Sequence, residues 1–548
     1  MSKKSFLKGA AILGVTSMLV KIVGIVYRIP LANILGDEGL GLYQTAYPFY
    51  TILLMLSTAG LPPSISKLVA EKVSQGDHAG ARKVFRVSLA LMGLLGLFFS
   101  ITMFSLSAQI AELANDPMAY KAIATMSPAL FIVSVMACIR GYFQGLQNMK
   151  PTALSQLVEQ IGKVVLGLLI AASQIDKGIA YGAAGAVLGV VISEALALCF
   201  IVIYYILMRP DIRHKSRNPE SSSTILSRLV RLAFPILLGA SVMPLITTMD
   251  TIIIRQQLMK AGYSLEEARA MFGMFSGRVN TLFNVPGSLS LALCVSIVPA
   301  ISAALAQRDK QGIKNHIYQG YKMATFIGIP SAVGLAVLAI PIMDLLYGSK
   351  MSPESIVLSG QLLAIMAGGV LFLSILQTFN GILQGLGKVI VPVVALTAGA
   401  IVKLIANVTL ISIPSINIYG APIGTFLCYF VAAMIDIYMV KRLTKIRLPF
   451  RRYLLRPILA SAVMGAAAWD SHKILVDFLG VHAKIATIIA VFIGIFFFVI
   501  CIPVLRILTR NEFLGIPGGR RLIKFYDALS LKRGSKHGYD NDHGPRHR

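Results

Sequence analysis

Acidic residues are scarce in this chain. Only 24 of 548 residues are Asp or Glu, against 51 Lys and Arg, and charged residues together make up 14%. Soluble domains carry about 25%, so there is too little charge to clothe a water-exposed surface. Cysteine is equally sparse. Cys138, Cys199, Cys294, Cys428 and Cys501 all lie within apolar stretches, and none is spaced as C-x-x-C. They read as small buried hydrophobes, which excludes a disulfide framework and a structural zinc site. The eight histidines fall in loops or in the C-terminal tail, so no metal site is expected inside the apolar regions. A phosphate-binding P-loop, a Ser/His or Cys/His set and a carboxylate-dense loop are all missing. The chain is therefore expected to be neither an ATPase nor any other enzyme, and to need no cofactor.

What is abundant is apolar sequence. Hydrophobic residues are 56% of the chain and the mean hydropathy is +0.74. About 20 apolar residues cross the hydrocarbon core as a helix. Fourteen stretches qualify: 9–35, 40–68, 87–111, 122–147, 151–175, 178–208, 228–257, 278–306, 320–346, 356–387, 389–412, 419–440, 454–470 and 485–508. The first is too long for a signal-peptide core and has no A-x-A cleavage site, so it is expected to be an uncleaved span.

The charge between these stretches alternates. Of the 51 Lys and Arg, 31 fall in the tails and even-numbered loops and only 7 in the odd-numbered loops, the other 13 lying within the stretches. Basic loops stay cytoplasmic. The expectation is a multi-pass protein of the cytoplasmic membrane with both termini inside. The +27 net charge follows from that topology and not from nucleic-acid binding. The most basic loop, Lys441 to Arg456, could also lie on anionic lipid headgroups. Loops expected outside lean acidic: Asp37-Glu38, Glu112 with Asp116, Asp176, and Glu266-Glu267.

The sequence repeats itself. Gly141-Tyr-Phe-Gln144-Gly145-Leu146 returns 240 positions later as Gly381-Ile-Leu-Gln384-Gly385-Leu386, and Lys163 returns as Lys403. Pro63-Ser-Ile-Ser66 and Gln75-Gly76 match Pro299-Ala-Ile-Ser302 and Gln311-Gly312 at an offset of 236. The displacement is six spans, an even number, so the halves are parallel repeats with a substrate site expected between them. The expected fold is all-α: two parallel six-helix lobes around a central cavity, plus two extra C-terminal helices. The corresponding division is 1–208 for the N-terminal lobe and 209–227 for a cytoplasmic linker. The C-terminal lobe follows at 228–442, spans 13 and 14 at 443–508, and a basic cytoplasmic tail at 509–548.

Charges inside the spans cost at least about 2.5–3.5 kcal/mol each at the bilayer centre and so demand a reason. Lys21 and Arg28 in span 1, Arg255 at the end of span 7 and Arg278 opening span 8 are candidates for holding an anionic headgroup in one cavity. Arginine's planar fork suits phosphate oxygens. The competing reading is snorkelling to the headgroups. Glu159, Lys163, Glu194, Asp250, Lys403 and Asp436 are candidates for Na⁺ or H⁺ coupling or for a structural role. Glu159 and Lys163, four apart, suit a self-neutralising pair. Asp250, about 140° around the helix from Arg255, is a poor partner for it.

Three segments carry a family resemblance: LGVTSMLVKIVGIVYRIPLANILGDEGLGLYQTAYP, LPPSISKLVAEKVSQGD and GYFQGLQNMKPTALSQLVEQIGKV. They resemble the multidrug/oligosaccharidyl-lipid/polysaccharide (MOP) exporter superfamily over roughly residues 5 to 510. The likeness is greatest to its polysaccharide-exporter branch, that of stage V sporulation protein B and the Gram-positive lipid II flippases of the MurJ type. It implies two lobes about a V-shaped cavity, with the last two spans forming a groove for a lipid tail. Arg28 matches the family's arginine closing span 1. Ile29 stands where the Gram-negative flippases carry an acid, Leu54 and Met55 near their paired arginines, and Asn280 and Thr281 near their Asp-Arg pair.

The resemblance implies a flippase for an undecaprenyl-pyrophosphate-linked saccharide, foremost the peptidoglycan precursor lipid II. Its partners would be that lipid, membrane lipids and cell-wall synthesis proteins. The alternatives are another lipid-linked oligosaccharide (capsule, teichoic or spore-cortex precursor), a cation-coupled multidrug antiporter, or a membrane-embedded glycosyltransferase. The antiporter is disfavoured because span 1 carries bases and no acid. The glycosyltransferase is disfavoured because no large outer loop exists.

Overall fold

The computed structural model describes residues 3–208, 220–446, 448–514, 523 and 526–527. Every regular element among them is a helix. In order these are α1 (Lys3–Thr58), α2 (Leu61–Ser74), α3 (His78–Ser105), α4 (Ser107–Leu113), α5 (Tyr120–Met126), α6 (Pro128–Gly145), α7 (Lys150–Gln174), α8 (Ile179–Leu207), α9 (Ser222–Lys260) and α10 (Leu265–Gly273). Then come α11 (Asn280–Ala306), α12 (Lys310–Val337), α13 (Ala339–Tyr347), α14 (Pro353–Ala367), α15 (Gly369–Gly385), α16 (Ile390–Ile411), α17 (Gly420–Thr444), α18 (Phe450–Lys473), α19 (Ala483–Val504) and α20 (Arg510–Leu514). Helices meet what a bilayer demands, since each backbone N–H finds its partner within its own segment.

Ten of the described helical segments are long and apolar enough to cross a membrane, or twelve when the two bent pairs in 222–260 and 353–385 each count as one span. The sequence suggested fourteen. Two local features account for part of the difference. The first two predicted spans run together: α1 carries 9–35 and 40–58 with a break at Gly36, whose φ of 68° and ψ of −176° take the chain out of helical geometry, and the remainder of the second span continues in α2 after Gly60. Predicted span 13 is α18, which is long enough but studded with charge from Arg451 to Lys473.

The chain folds as two compact units. The first comprises Met1–Val285, Leu346–Leu362 and Ile390–Ala432, and the second Pro286–Leu345, Leu363–Val389 and Ala433–Arg548. In the first unit, α7 and α8 pack along almost their whole length. Small residues allow it: a Cβ on Gly189 of α8 would collide with the backbone of Gly167 in α7. Close backbone approach of this kind is how membrane helices associate without a hydrophobic driving force. A second core joins α2, α3, α6 and α8 through Ile65, Leu68, Met92 and Ile139, with the Phe85 ring 4.7 Å from Tyr142 and 5.1 Å from Tyr205. In the second unit α12 packs on α15 and α18, and α18 on α19.

The sequence repeat is a repeated helix contact. In the first unit Gly141 and Gly145 of α6 lie against Pro62, Ser66 and Val69 of α2. In the second, Gly381 and Gly385 of α15 lie against Cys294, Ile297 and Ile301 of α11. Ser134 and Ser374, also 240 apart, donate to Ser57 at 3.0 Å and pair with Ser290 at 2.8 Å respectively. One match does not survive. Gly76 sits in a left-handed turn after α2 at φ 74°, whereas Gly312 lies in the first turn of α12. The true counterparts there are the helix caps. Asp77 accepts from Gly80 N–H and Asp309 from Gly312 N–H, both at 2.8 Å.

Candidate substrate cavity

The first unit contains a cavity of about 300 Å³, at the lower end of the range for small-molecule sites. Its walls come from α1 (Arg28, Gln44, Tyr47, Thr51), α9 (Thr247, Asp250, Thr251), the stretch from Phe272 to Asn284, Lys403 of α16, and Thr425 and Tyr429 of α17. The kink at Gly36 lets one long helix contribute both Arg28 and Gln44 to the same wall.

Arg28 is half-buried and donates from Nη1 to Thr281 Oγ1 at 3.1 Å. No carboxylate pairs with it among the described residues. The Lys403 ammonium is bound to Asp250, which also accepts from Asn407 Nδ2 at 2.9 Å. Asp250 is the sole carboxylate among the lining residues. Among the described residues, the lining therefore carries one uncompensated positive charge, and it resides on Arg28. Around it stand the amides of Gln44, Asn280 and Asn284, several hydroxyls, and the rings of Tyr47, Phe272, Phe275 and Tyr429. Such a surface can bind an anion at one point and hydroxyl-rich, CH-faced groups over the remainder.

Arg255 and Arg278 lie elsewhere. Arg255 is fully buried, donating to Thr45 Oγ1 at 2.7 Å and Asp116 Oδ2 at 3.0 Å. Asp116 simultaneously accepts from Arg269 Nε and Nη2 at 2.9 Å. Glu38 lies 3.7 Å from Arg269, completing a balanced set of two guanidiniums and two carboxylates. Arg255 sits behind the cavity wall, its guanidinium 4.8 Å from the centre of the Phe272 ring. Arg278 is also fully buried. It binds Asp37 and donates to Ser355 Oγ at 2.7 Å, while Ser355 donates to Asp37 Oδ2 at 2.6 Å.

The expectation that Arg28, Arg255 and Arg278 share one cavity thus holds for Arg28 alone. The other two are neutralised by acids from loops expected outside, so neither the snorkelling reading nor the cavity reading describes them. Desolvating an unpaired guanidinium costs several kcal/mol, which makes these partners obligatory. The side chain of Lys21 lies outside the described residues.

The remaining candidates separate. Glu159 pairs with Lys163 at 3.8 Å, as its spacing suggested, but binds Arg140 more closely, at 3.0 Å. Asp250 does pass over Arg255 and takes Lys403 instead. Glu194 is 3% exposed and Asp436 fully buried; among the described residues one carboxylate oxygen of Glu194 and both of Asp436 have no partner. They lie in different units. Among the described residues no group of three or more His, Cys, Asp or Glu could hold a metal ion. Sequence reading missed Asp116, Arg269, Asp37, Arg140 and Asn407. The only local signal was that the outer loops, poor in base, still carry acids.

Known proteins supply the context. The polysaccharide biosynthesis protein family matches residues 6–305, and the MatE family matches residues 277–409. Stage V sporulation protein B of Bacillus subtilis (strain 168) is 28% identical over 531 residues, spanning 95% of this chain and 100% of that protein. Lipid II flippase MurJ of the same organism is 28% identical over 521 residues, spanning 90% and 94%. A solved structure of lipid II flippase MurJ in the inward closed conformation superposes with a TM-score of 0.70 at 17% identity, covering 89% of this chain and 97% of that one. At that identity the likeness speaks for the fold. Family, fold and helix inventory agree: this chain belongs to the polysaccharide biosynthesis protein family of the MOP exporter superfamily, and is a multi-pass membrane transporter rather than an enzyme.

Proposed function

We propose that the protein flips an undecaprenyl-pyrophosphate-linked saccharide, foremost lipid II, from the inner to the outer leaflet by alternating access. The observation that carries this reading is Arg28, the single uncompensated charge among the described residues of the lining, set among amides, hydroxyls and aromatic rings. The guanidinium suits a pyrophosphate, and the neutral polar lining suits sugars. A cation-drug antiporter would need the reverse, a free carboxylate, and the sole carboxylate of the lining is already bound to Lys403.

The polyprenyl tail is far too long for a polar cavity. It would lie along spans 13 and 14, where α18 and α19 expose Val463, Phe492 and Phe496. Burying each CH₂ there contributes about 0.8 kcal/mol. The equal likeness to stage V sporulation protein B favours a second substrate of the same class, a lipid-linked precursor used in sporulation.

Depletion of the protein, followed by identification of the lipid-linked precursor accumulating on the cytoplasmic leaflet, tests both. Lipid II accumulation supports the first, and another undecaprenyl-linked saccharide the second. Unchanged precursor pools with raised sensitivity to cationic drugs would overturn the proposal.

A further inference from the structure

The second unit has a cavity of its own, about 140 Å³, at one end of α12, α18 and α19. The charge rule assigns this end to the cytoplasmic face, since it adjoins the basic loop Lys441 to Arg456. It is formed where the chain leaves α19. Arg506 adopts a left-handed backbone conformation at φ 49° and reverses the chain. Ile507 and Leu508 then bury against Ala460 and Ile502, and the Tyr526 hydroxyl donates to the Leu508 carbonyl at 2.9 Å. The returning segment closes one side of the pocket.

Its polar lining comprises Lys322, Tyr453, Arg456, Arg506, Thr509 and Glu512. Lys322 is bound to Glu512, whose carboxylate also accepts from Thr509 N–H at 2.7 Å. Arg456 donates to the Arg506 backbone carbonyl at 3.0 Å, a neutral partner. No carboxylate pairs with Arg456 or Arg506 among the described residues. Two arginines of the lining are therefore uncompensated. On the same helices, immediately beside them, Leu455, Ile458, Leu459 and Val504 are each between 38% and 48% exposed.

We propose that this pocket binds the phosphate of an anionic membrane phospholipid from the cytoplasmic leaflet. Arg456 and Arg506 grip the headgroup, and the acyl chains lie on the apolar strip of α18 and α19. The two halves of the argument require each other: a soluble anion would have no use for the strip, and a neutral lipid none for the paired arginines. Basic pockets between membrane helices at the cytoplasmic side recognise headgroups in this way. The site is separate from the Arg28 cavity and does not depend on which substrate that cavity carries.

The test uses the purified full-length protein in a neutral detergent, followed by native mass spectrometry. Phosphatidylglycerol should add as one tightly held molecule, with phosphatidylcholine at least about tenfold weaker. R456Q/R506Q should lose that preference, and R456K/R506K, which keeps the charge, should retain most of it. R506Q alone, at an exposed position, provides the reading should the double variant fail to fold, and should weaken phosphatidylglycerol severalfold. Equal binding of the two lipids, or unchanged phosphatidylglycerol binding in folded R456Q/R506Q or R506Q, would overturn the proposal. So would displacement of phosphatidylglycerol by equimolar inorganic phosphate, which would mark a pocket for a soluble anion.

Discussion

Asp116 and Arg255, 139 positions apart, meet at 3.0 Å with neither side chain exposed to solvent. In the sequence one looks like an ordinary loop acid and the other like an unneutralised charge in a span. Together with Arg269 they form one buried ionic knot. Replacing Asp116 by Asn should leave two buried guanidiniums short of a counter-charge and destabilise the first unit by about 3–5 kcal/mol. Thermal unfolding in detergent checks this, and melting of D116N at the wild-type temperature would show the knot to be dispensable.

Arg28 should behave in the opposite way. Its hydrogen-bond partner is the neutral Thr281 hydroxyl, so R28A should insert and melt nearly as wild type while losing transport. R28K should recover only part, since an ammonium cannot make the two-pronged phosphate contact. R278A, by contrast, strips Asp37 of its buried partner and should lose stability before anything else. Full complementation by R28A would remove Arg28 from the substrate site.

The Lys403–Asp250 pair sets the charge of the cavity. K403M should leave a lone carboxylate there, cancel the charge of Arg28 and abolish transport of an anionic headgroup. K403M/D250N restores a net charge of one and should recover function in part. The comparison to make is complementation of a depleted strain by the single and double variants at matched protein levels. A double variant no better than the single would separate the pair from substrate charge.

Acid should loosen the segment behind α19. Burial works to raise the Glu512 carboxyl, but the Lys322 ammonium and the Thr509 N–H outweigh it and hold the group below its ordinary range. A depressed folded-state pKa means that its contribution is present above about pH 4.3, the unfolded value, and is lost as pH falls through the folded value. Proteolysis near residue 506 should therefore rise below about pH 4 in the wild type. E512Q should start high and change little across that window. A parallel acid response in E512Q would place the titration elsewhere.

Topology is open to direct labelling. In a chain with its five cysteines replaced, new cysteines at the exposed positions Lys177, Glu266 and Lys350 should react with an impermeant thiol reagent in whole cells. Cysteines at Gln75 and Lys310 should not. Asp116, though in a loop expected outside, is unsuitable because it is wholly buried.

Hydropathy and charge alternation by themselves determined the class of this molecule. An excess of apolar residues over any charge that could face water calls for a bilayer as solvent, and apolar runs of about 20 residues select helices over a closed barrel. The glycine repeat was legible as well, and the structure supplied its meaning. Gly141, Gly145, Gly381 and Gly385 stand where helices touch, and such contacts tolerate no Cβ. Charge pairing was not legible. A span-embedded Arg looks identical in sequence whether it awaits a substrate or is already bound by a carboxylate, because its partner can lie anywhere in the chain. Asp116 is 139 residues from Arg255, and Asp37 is 241 from Arg278. The one pair read correctly, Glu159 with Lys163, is the one made within a single helical turn. Only the tertiary structure decides which charges cancel, since Coulomb attraction depends on distance in space, and so only it leaves Arg28 as the unpaired cation among the described residues of the cavity.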